Sequence, residues 1–189
     1  MRLFVAVNLP KAERHRIHRA AKDFREHGYP FRWVKPELLH LTLKFMGDTR
    51  PDQVPVVEKV LEAIGESTGP FQMKIGGFGA FPTLRRPRVL WIGVDPSPAL
   101  RCLKQDVEWG LSEWGFERET RAFHPHLTLG RSKADGAGPF RGLDEMAAAR
   151  TYSGEVGVRK VELMESHLSS AGPRYAVLNA FPLKGPGGR

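Results

Sequence analysis

Apolar side chains recur along this chain at two spacings, and the spacing changes from segment to segment. Where they alternate, or run unbroken over five to eight residues, a strand is expected; where they fall three or four apart, a helix. Leu3 to Asn8 predicts a strand. Pro10 then opens a helix from Lys11 to His27, with Ile17, Ala21 and Phe24 on one stripe and Gly28 as its stop. Phe31 to Val34 predicts a short strand, and His40 to Met46 a longer one ended by Gly47. A helix from Asp52 to Glu66 follows, with Val54, Val57, Leu61 and Ile64 on one face. Pro55 is tolerated there because first-turn N–H groups have no helical partner.

Phe71 to Phe78 alternates as a strand, and Val89 to Val94 is nearly all apolar, as a central strand would be. Leu100, Leu103, Val107, Leu111 and Trp114 predict a helix from Pro98 to Gly115. Phe123 to Arg131 is the next strand, and Leu143 to Arg150 a short helix. Val156 to His167 and Tyr175 to Pro182 are the last two strands, turning through Ser170-Ala171-Gly172-Pro173. The Gly-rich stretch Lys133 to Pro139 is expected to be a mobile loop, and Lys184 to Arg189 a frayed tail. Strands adjacent in sequence mixed with helices indicate an α+β fold rather than a doubly wound parallel sheet.

One stretch occurs twice. His40-Leu41-Thr42-Leu43 returns as His126-Leu127-Thr128-Leu129, 86 residues later. On a strand, successive side chains point to opposite faces. The leucines therefore enter a core while each His and Thr stand side by side on the other face. The order of elements around the two copies is roughly the same. A single bilobal domain over residues 1–189 is expected, with two antiparallel sheets related by a pseudo-two-fold axis, flanking helices, and a central groove between the motif strands.

The 189 residues suffice to bury roughly two-thirds of the unfolded surface. No run approaches the roughly 20 apolar residues of a membrane span, and the short N-terminal strand is not a signal peptide. Cys102 is the only cysteine, which excludes an intrachain disulfide and suits a reducing cytoplasm. The net charge of +8 favours anionic partners, nucleic acid first. A generally basic, solvated surface accounts for the charge equally well. Arg85, Arg86 and Arg88 form the densest cluster and could follow an RNA backbone or simply occupy a solvated loop.

Two histidines across a groove are a general acid and a general base, since imidazole titrates at about pH 6.5. Displacement at phosphorus needs both together. One imidazole takes a proton from water, and the other gives a proton to the departing oxygen. Thr42 and Thr128 would donate to the non-bridging phosphate oxygens. No metal or cofactor is needed. Two half-buried strands with ordinary polar faces are the alternative. Arg131, near the end of the second motif strand, would clamp phosphate or be a strand-end surface charge. Lys44 shares the face of Thr42 by alternation and is a second candidate for contacting phosphate, whereas Phe45 falls on the core face with Leu41 and Leu43. His124 lies two residues before His126, a spacing that could ligate a metal together with His40. No carboxylate or cysteine cluster accompanies it.

The two motifs and their surroundings resemble the 2H phosphoesterase superfamily, and within it the LigT-like RNA 2′,3′-cyclic phosphodiesterases, the 2′-5′ RNA ligase family. The likeness rests on Trp33-Val34-Lys35-Pro36-Glu37-Leu38-Leu39-His40-Leu41-Thr42-Leu43-Lys44-Phe45-Met46-Gly47 and on Pro125-His126-Leu127-Thr128-Leu129-Gly130-Arg131. Arg2-Leu3-Phe4-Val5-Ala6, Val89-Leu90-Trp91, Glu165-Ser166 and Gly172-Pro173-Arg174-Tyr175 extend it over nearly the whole chain. Met46 and Gly130 depart from the commoner Leu and Ala.

The resemblance implies hydrolysis of an RNA 2′,3′-cyclic phosphate end to a 2′-phosphate, on tRNA fragments among other RNAs, with reversal to 2′-5′ ligation at the same site. It implies His40 as proton donor and His126 as proton acceptor, favours Arg131 as a phosphate clamp, and offers Phe45 as the aromatic that stacks on a base. A monomer is expected, because the groove would be complete in one chain. A non-catalytic RNA- or nucleotide-binding module differs by lacking turnover. A phosphodiesterase of small cyclic nucleotides differs by not preferring an oligonucleotide.

Overall fold

The computed structural model describes residues 1–186. Strand β1 (Arg2–Asn8) carries the run Leu3 to Val7, all five of whose side chains are buried. A strand buried on both faces belongs inside a sheet. β1 indeed lies between β3 (His40–Asp48) and β8 (Lys160–Ser169), antiparallel to both. The whole sheet runs β7 (Gly154–Val158), β4 (Phe71–Pro82), β5 (Pro87–Val94), β6 (His126–Ser132), β3, β1, β8 and β9 (Gly172–Pro182). A short β2 (Phe31–Trp33) pairs in addition with β6.

The two motif strands, β3 and β6, meet at the middle of this order. Their register is a single pair, Leu41 opposite Leu127. The expectation of two sheets thus becomes one hydrogen-bonded sheet, in which β3 and β6 are in register at that one pair. The strand expected over Val156 to His167 is really two, split at Arg159. β7 closes the edge beside β4, while β8 crosses to the other half and pairs with β1.

The helices are α1 (Lys11–Ala20), α2 (Lys22–His27), α3 (Val54–Ser67), α4 (Pro98–Ser112) and α5 (Leu143–Ala149). The single helix expected up to His27 is interrupted at Ala21, which leaves helical geometry at φ −87° and ψ 4°. Ile17, Ala21 and Phe24 are nevertheless all buried, as one stripe requires. Gly28, at φ 83°, closes α2 in the left-handed conformation that glycine adopts without steric cost. Ser97 caps α4, its hydroxyl accepting from the Leu100 amide at 3.3 Å.

One continuous cluster of buried side chains joins the helices to the sheet, through Ile17, Leu61, Leu103 and Leu143 on the helices and Leu41 and Leu127 on the motif strands. A second, small cluster lies on the opposite face of β1 and β8, made by Phe4, Ala6 and Met164 with Tyr175 against them. The expected frayed tail is tied down at its start. The amides of Lys184 and Gly185 donate to the carbonyls of Gly65 and Thr68 at 2.8 and 3.0 Å. Residues 187–189 of that expectation lie outside the described part of the chain.

Candidate active site

Because Leu41 and Leu127 point together into the main core, their neighbours point together away from it. Antiparallel pairing sets His40 beside Thr128 and Thr42 beside His126. The four polar motif side chains therefore share one face of the sheet, where the strand periodicity of the sequence places them. The imidazole of His40 is half-buried and the hydroxyl-bearing Thr42 is exposed; His126 and Thr128 are both half-buried.

The two imidazoles are held in the same way. Nδ1–H of His40 donates to the Leu38 carbonyl, and Nδ1–H of His126 to the His124 carbonyl, each at 2.7 Å. A carbonyl only accepts, so Nδ1 carries the proton and Nε2 is left for chemistry. Nε2 of His40 stands 3.0 Å from the Thr42 hydroxyl. Both rings also lie against aromatic partners. His40 is 5.1 Å from Phe4 and 5.2 Å, edge-on, from Tyr175. His126 is 4.9 Å, edge-on, from Phe81 and 6.3 Å from Trp91.

This aromatic packing has an electrostatic consequence. Burial pushes the His40 imidazole below its ordinary pKa; the Leu38 carbonyl opposes the shift, and the charges of Arg14, Arg131 and His126 add to it. Burial also lowers His126, against the pull of the His124 carbonyl and with the help of His124 and Arg131. Both shifts favour the neutral ring, whose free electron pair is on Nε2.

Both motif strands contain a β-bulge directly after the Thr. In β3, Ala6 pairs with Thr42 and Val5 with Lys44, leaving Leu43 as an extra residue. In β6, Trp91 pairs with Thr128 and Leu90 with Gly130, leaving Leu129 extra. A bulge of this kind reverses the facing of everything beyond it. Leu43 and Lys44 are consequently both buried, and Phe45 emerges on the Thr42 face, 55% exposed. Leu129 and Gly130 are likewise both buried, and Arg131 emerges exposed on the Thr128 face.

Two expectations change with that geometry. Lys44 does not share the face of Thr42. It is 4% exposed, with Nζ bonded to Glu108 at 2.8 Å and to the Glu117 carbonyl at 2.6 Å, so it is a structural cation and not a substrate contact. Phe45 is not a core residue but an open ring, with the Arg2 guanidinium 5.3 Å from its centre. The structure brings His40, His126, Thr42, Thr128, Arg131 and Phe45 to one face. Strict alternation hides both bulges, and nothing in the leucine pattern signals them.

The aromatic partners Phe4, Tyr175, Phe81 and Trp91 carry no motif of their own, although alternation on β1 puts Phe4 on the His40 side once the register is known. Gly79 is the exception that speaks: a Cβ there would overlap the Trp91 indole, so the ring lies directly over that glycine. His124 is exposed, its ring 5.1 Å from Phe81 and 5.0 Å from Trp91. Among the described residues no three His, Cys, Asp or Glu side chains gather as a metal-holding group. Arg85 and Arg88 face Asp144 and Asp135 at 4.0 and 3.2 Å.

Comparison with known proteins agrees with this arrangement. The family model of the 2′-5′ RNA ligase superfamily matches residues 10–169. An RNA 2′,3′-cyclic phosphodiesterase of Geobacillus stearothermophilus is 34% identical over 98% of this chain, which spans 59% of that longer relative. One from Methanothermobacter thermautotrophicus is 34% identical over 97% of this chain and 99% of its own length. The crystal structure of E. coli LigT complexed with 3′-AMP superposes with a TM-score of 0.76 at 27% identity, over 96% of this chain and 97% of that one. With both motifs on one face and the match running through both halves, this chain belongs to the 2′-5′ RNA ligase superfamily.

Proposed function

We propose that this chain is a phosphodiesterase that opens the 2′,3′-cyclic phosphate at an RNA end and leaves a 2′-phosphate. The observation that carries the proposal is the matched pair of imidazoles. Each is pinned through Nδ1 and offers Nε2 to the same open face, beside a threonine hydroxyl and near one guanidinium. The names and identities of the relatives support the same activity.

In the reaction, water approaches phosphorus from the side opposite the 3′ oxygen. His126 Nε2 takes the proton of that water as its oxygen bonds to phosphorus. The bond from phosphorus to the 3′ oxygen breaks, and His40, protonated on Nε2, gives its proton to that oxygen. The hydroxyls of Thr42 and Thr128 donate to the two non-bridging oxygens, where charge gathers. Arg131 supplies positive charge to the same oxygens, and Phe45 offers a flat apolar surface to the terminal base. Substitution of the water by a 5′-hydroxyl makes a 2′-5′ linkage by the same proton transfers, so ligation is the counterpart of hydrolysis at this site.

The symmetric strand order about the Leu41–Leu127 pair supports two pseudo-two-fold lobes within one domain spanning residues 1–189, with the catalytic groove between them. Since both lobes come from one chain, a monomer suffices. RNA fragments with cyclic ends, such as cleaved tRNA, are the substrates, and the cytoplasm is the setting that the lone exposed Cys102 fits.

The test is turnover of a short RNA bearing a 2′,3′-cyclic phosphate, with a chelator present and the product resolved as 2′- or 3′-phosphate. A 2′-phosphate made by wild type and lost by about 10²–10⁴-fold in either His→Ala variant is the expected result. Retained RNA binding without turnover by the wild type would make the site a recognition module. Turnover restricted to cyclic mononucleotides would make it a small-nucleotide enzyme.

A further inference from the structure

A cavity of about 940 Å³ opens beside His40, walled by β1, β8, β9 and the turn before β3. It reaches the imidazole through three of its own lining residues. Leu38 accepts the His40 Nδ1–H, Asn8 pairs with His40 across the sheet, and Tyr175 lies edge-on to the ring. Its volume is at the upper end of those that take small ligands, about 300–1,000 Å³. Five cations line it, Arg14, Lys35, Arg159, Lys160 and Arg174, against the carboxylates of Glu37 and Glu162.

Among the described residues, two of these five cations are engaged by neighbouring groups and three are not. Lys160 is paired with Glu162 at 3.3 Å, and Arg14 is bonded to the Glu37 carbonyl and the Asn8 side chain. Lys35, Arg159 and Arg174 are exposed and have no ion pair among the described residues. Arg159 stands where the chain crosses from β7 to β8, and Arg174 stands near the start of β9. Three cations from separate segments thus converge on one concavity.

We infer that this cavity seats the RNA chain on the 5′ side of the cyclic end, with Lys35, Arg159 and Arg174 on its internal phosphates. The inference rests on the proposed function. If His40 protonates the 3′ oxygen, the terminal ribose lies on the His40 side, because that oxygen belongs to it. The rest of the RNA leaves through the 5′ oxygen of the same ribose. The only part of a cyclic-ended RNA that carries further anions is therefore directed to the cavity rather than to the His126 side. A cyclic mononucleotide has no such phosphate and would leave these cations unused.

The experiment compares cyclic AMP of the 2′,3′ type with a trinucleotide ending in a 2′,3′-cyclic phosphate, for wild type and the triple variant Lys35→Gln, Arg159→Gln, Arg174→Gln. These are surface positions, and an unchanged melting temperature shows that the variant is folded. The ratio of kcat/KM for trinucleotide over mononucleotide is expected to fall at least tenfold. Its log–log salt slope is expected to shrink by about 0.7 for each phosphate no longer neutralised. An equal loss on both substrates, or on neither, overturns the inference. Calorimetric binding of the trinucleotide 2′-phosphate gives a readout apart from turnover, with weaker binding by the variant expected. Absence of wild-type turnover with intact, cation-dependent binding would overturn the catalytic proposal and leave the binding site standing.

Discussion

At the scale of single residues, the two histidines have the same kind of surroundings, although the proposed mechanism gives them opposite tasks. Both are depressed in pKa first by burial, then by nearby positive charge. For His126 the direction suits a base, which must be neutral to accept a proton. For His40 it makes the donor form scarce until an anion arrives to offset Arg14 and Arg131. Ring placement matters as much as protonation, and His126 owes its place to Trp91 and Phe81. The Trp91 indole in turn rests on the bare backbone of Gly79. Gly79→Ala should displace that ring and tilt His126. A shift of about 1 Å at a catalytic group costs up to about 10²-fold. The expected outcome is a lower kcat with little change in KM, measured by steady-state kinetics; an unchanged kcat would show that the indole does not position His126.

At the scale of elements, the two bulged strands decide what the site contains. Lys44 is drawn inward to Glu108 on α4, and Lys104 of the same helix donates to the Leu43 carbonyl at 2.5 Å and to Glu108 at 2.7 Å. The network thus holds the bulge from the core side and leaves Phe45 outside. Burial alone would raise the Glu108 carboxyl, but hydrogen bonds from Lys104, Lys44 and the Glu119 amide outweigh it and hold the carboxyl below its ordinary range. A depressed carboxyl contributes stability above the unfolded pKa of about 4.3. That contribution is lost as pH falls through the folded value.

Removing one member of such a pair leaves the other charge buried, at a cost of about 3–5 kcal/mol. Glu108→Ala should lose stability by that order in urea unfolding, whereas the apolar pair Lys44→Met, Glu108→Leu should recover most of it. Equal losses in the two variants would show that packing, not charge, is at stake. The same strands mark the limit of what the sequence discloses. Alternation correctly places His40, Thr42, His126 and Thr128 on one face because they precede the bulges. It misplaces Lys44 and Phe45 because they follow one, and an extra residue in a strand leaves no trace in composition. The single strand expected over Val156 to His167 fails for a related reason. Two polar residues in succession, Arg159 and Lys160, interrupt its alternation where the chain changes strand partners, but with no Gly or Pro beside them the apolar positions on either side read as one run.

At the scale of the whole molecule, a sequence repeat has become a site by bringing the two copies together at one pair, Leu41 with Leu127. Each half carries one of the two motif histidines, so the proposed acid–base pair is complete only where the halves meet. The central claim is that His126 acts as base and His40 as acid on an RNA cyclic phosphate. It is tested most directly by the pH dependence of kcat/KM on a cyclic-ended oligonucleotide, for wild type, His40→Ala and His126→Ala. The wild type should give a bell whose two limbs both lie below the ordinary imidazole pKa of about 6.5, since both groups are shifted downward. Residual activity in His126→Ala should lose the acidic limb, and that in His40→Ala the alkaline limb. A single-limbed wild-type profile, or loss of the same limb in both variants, would contradict the assignment of acid and base.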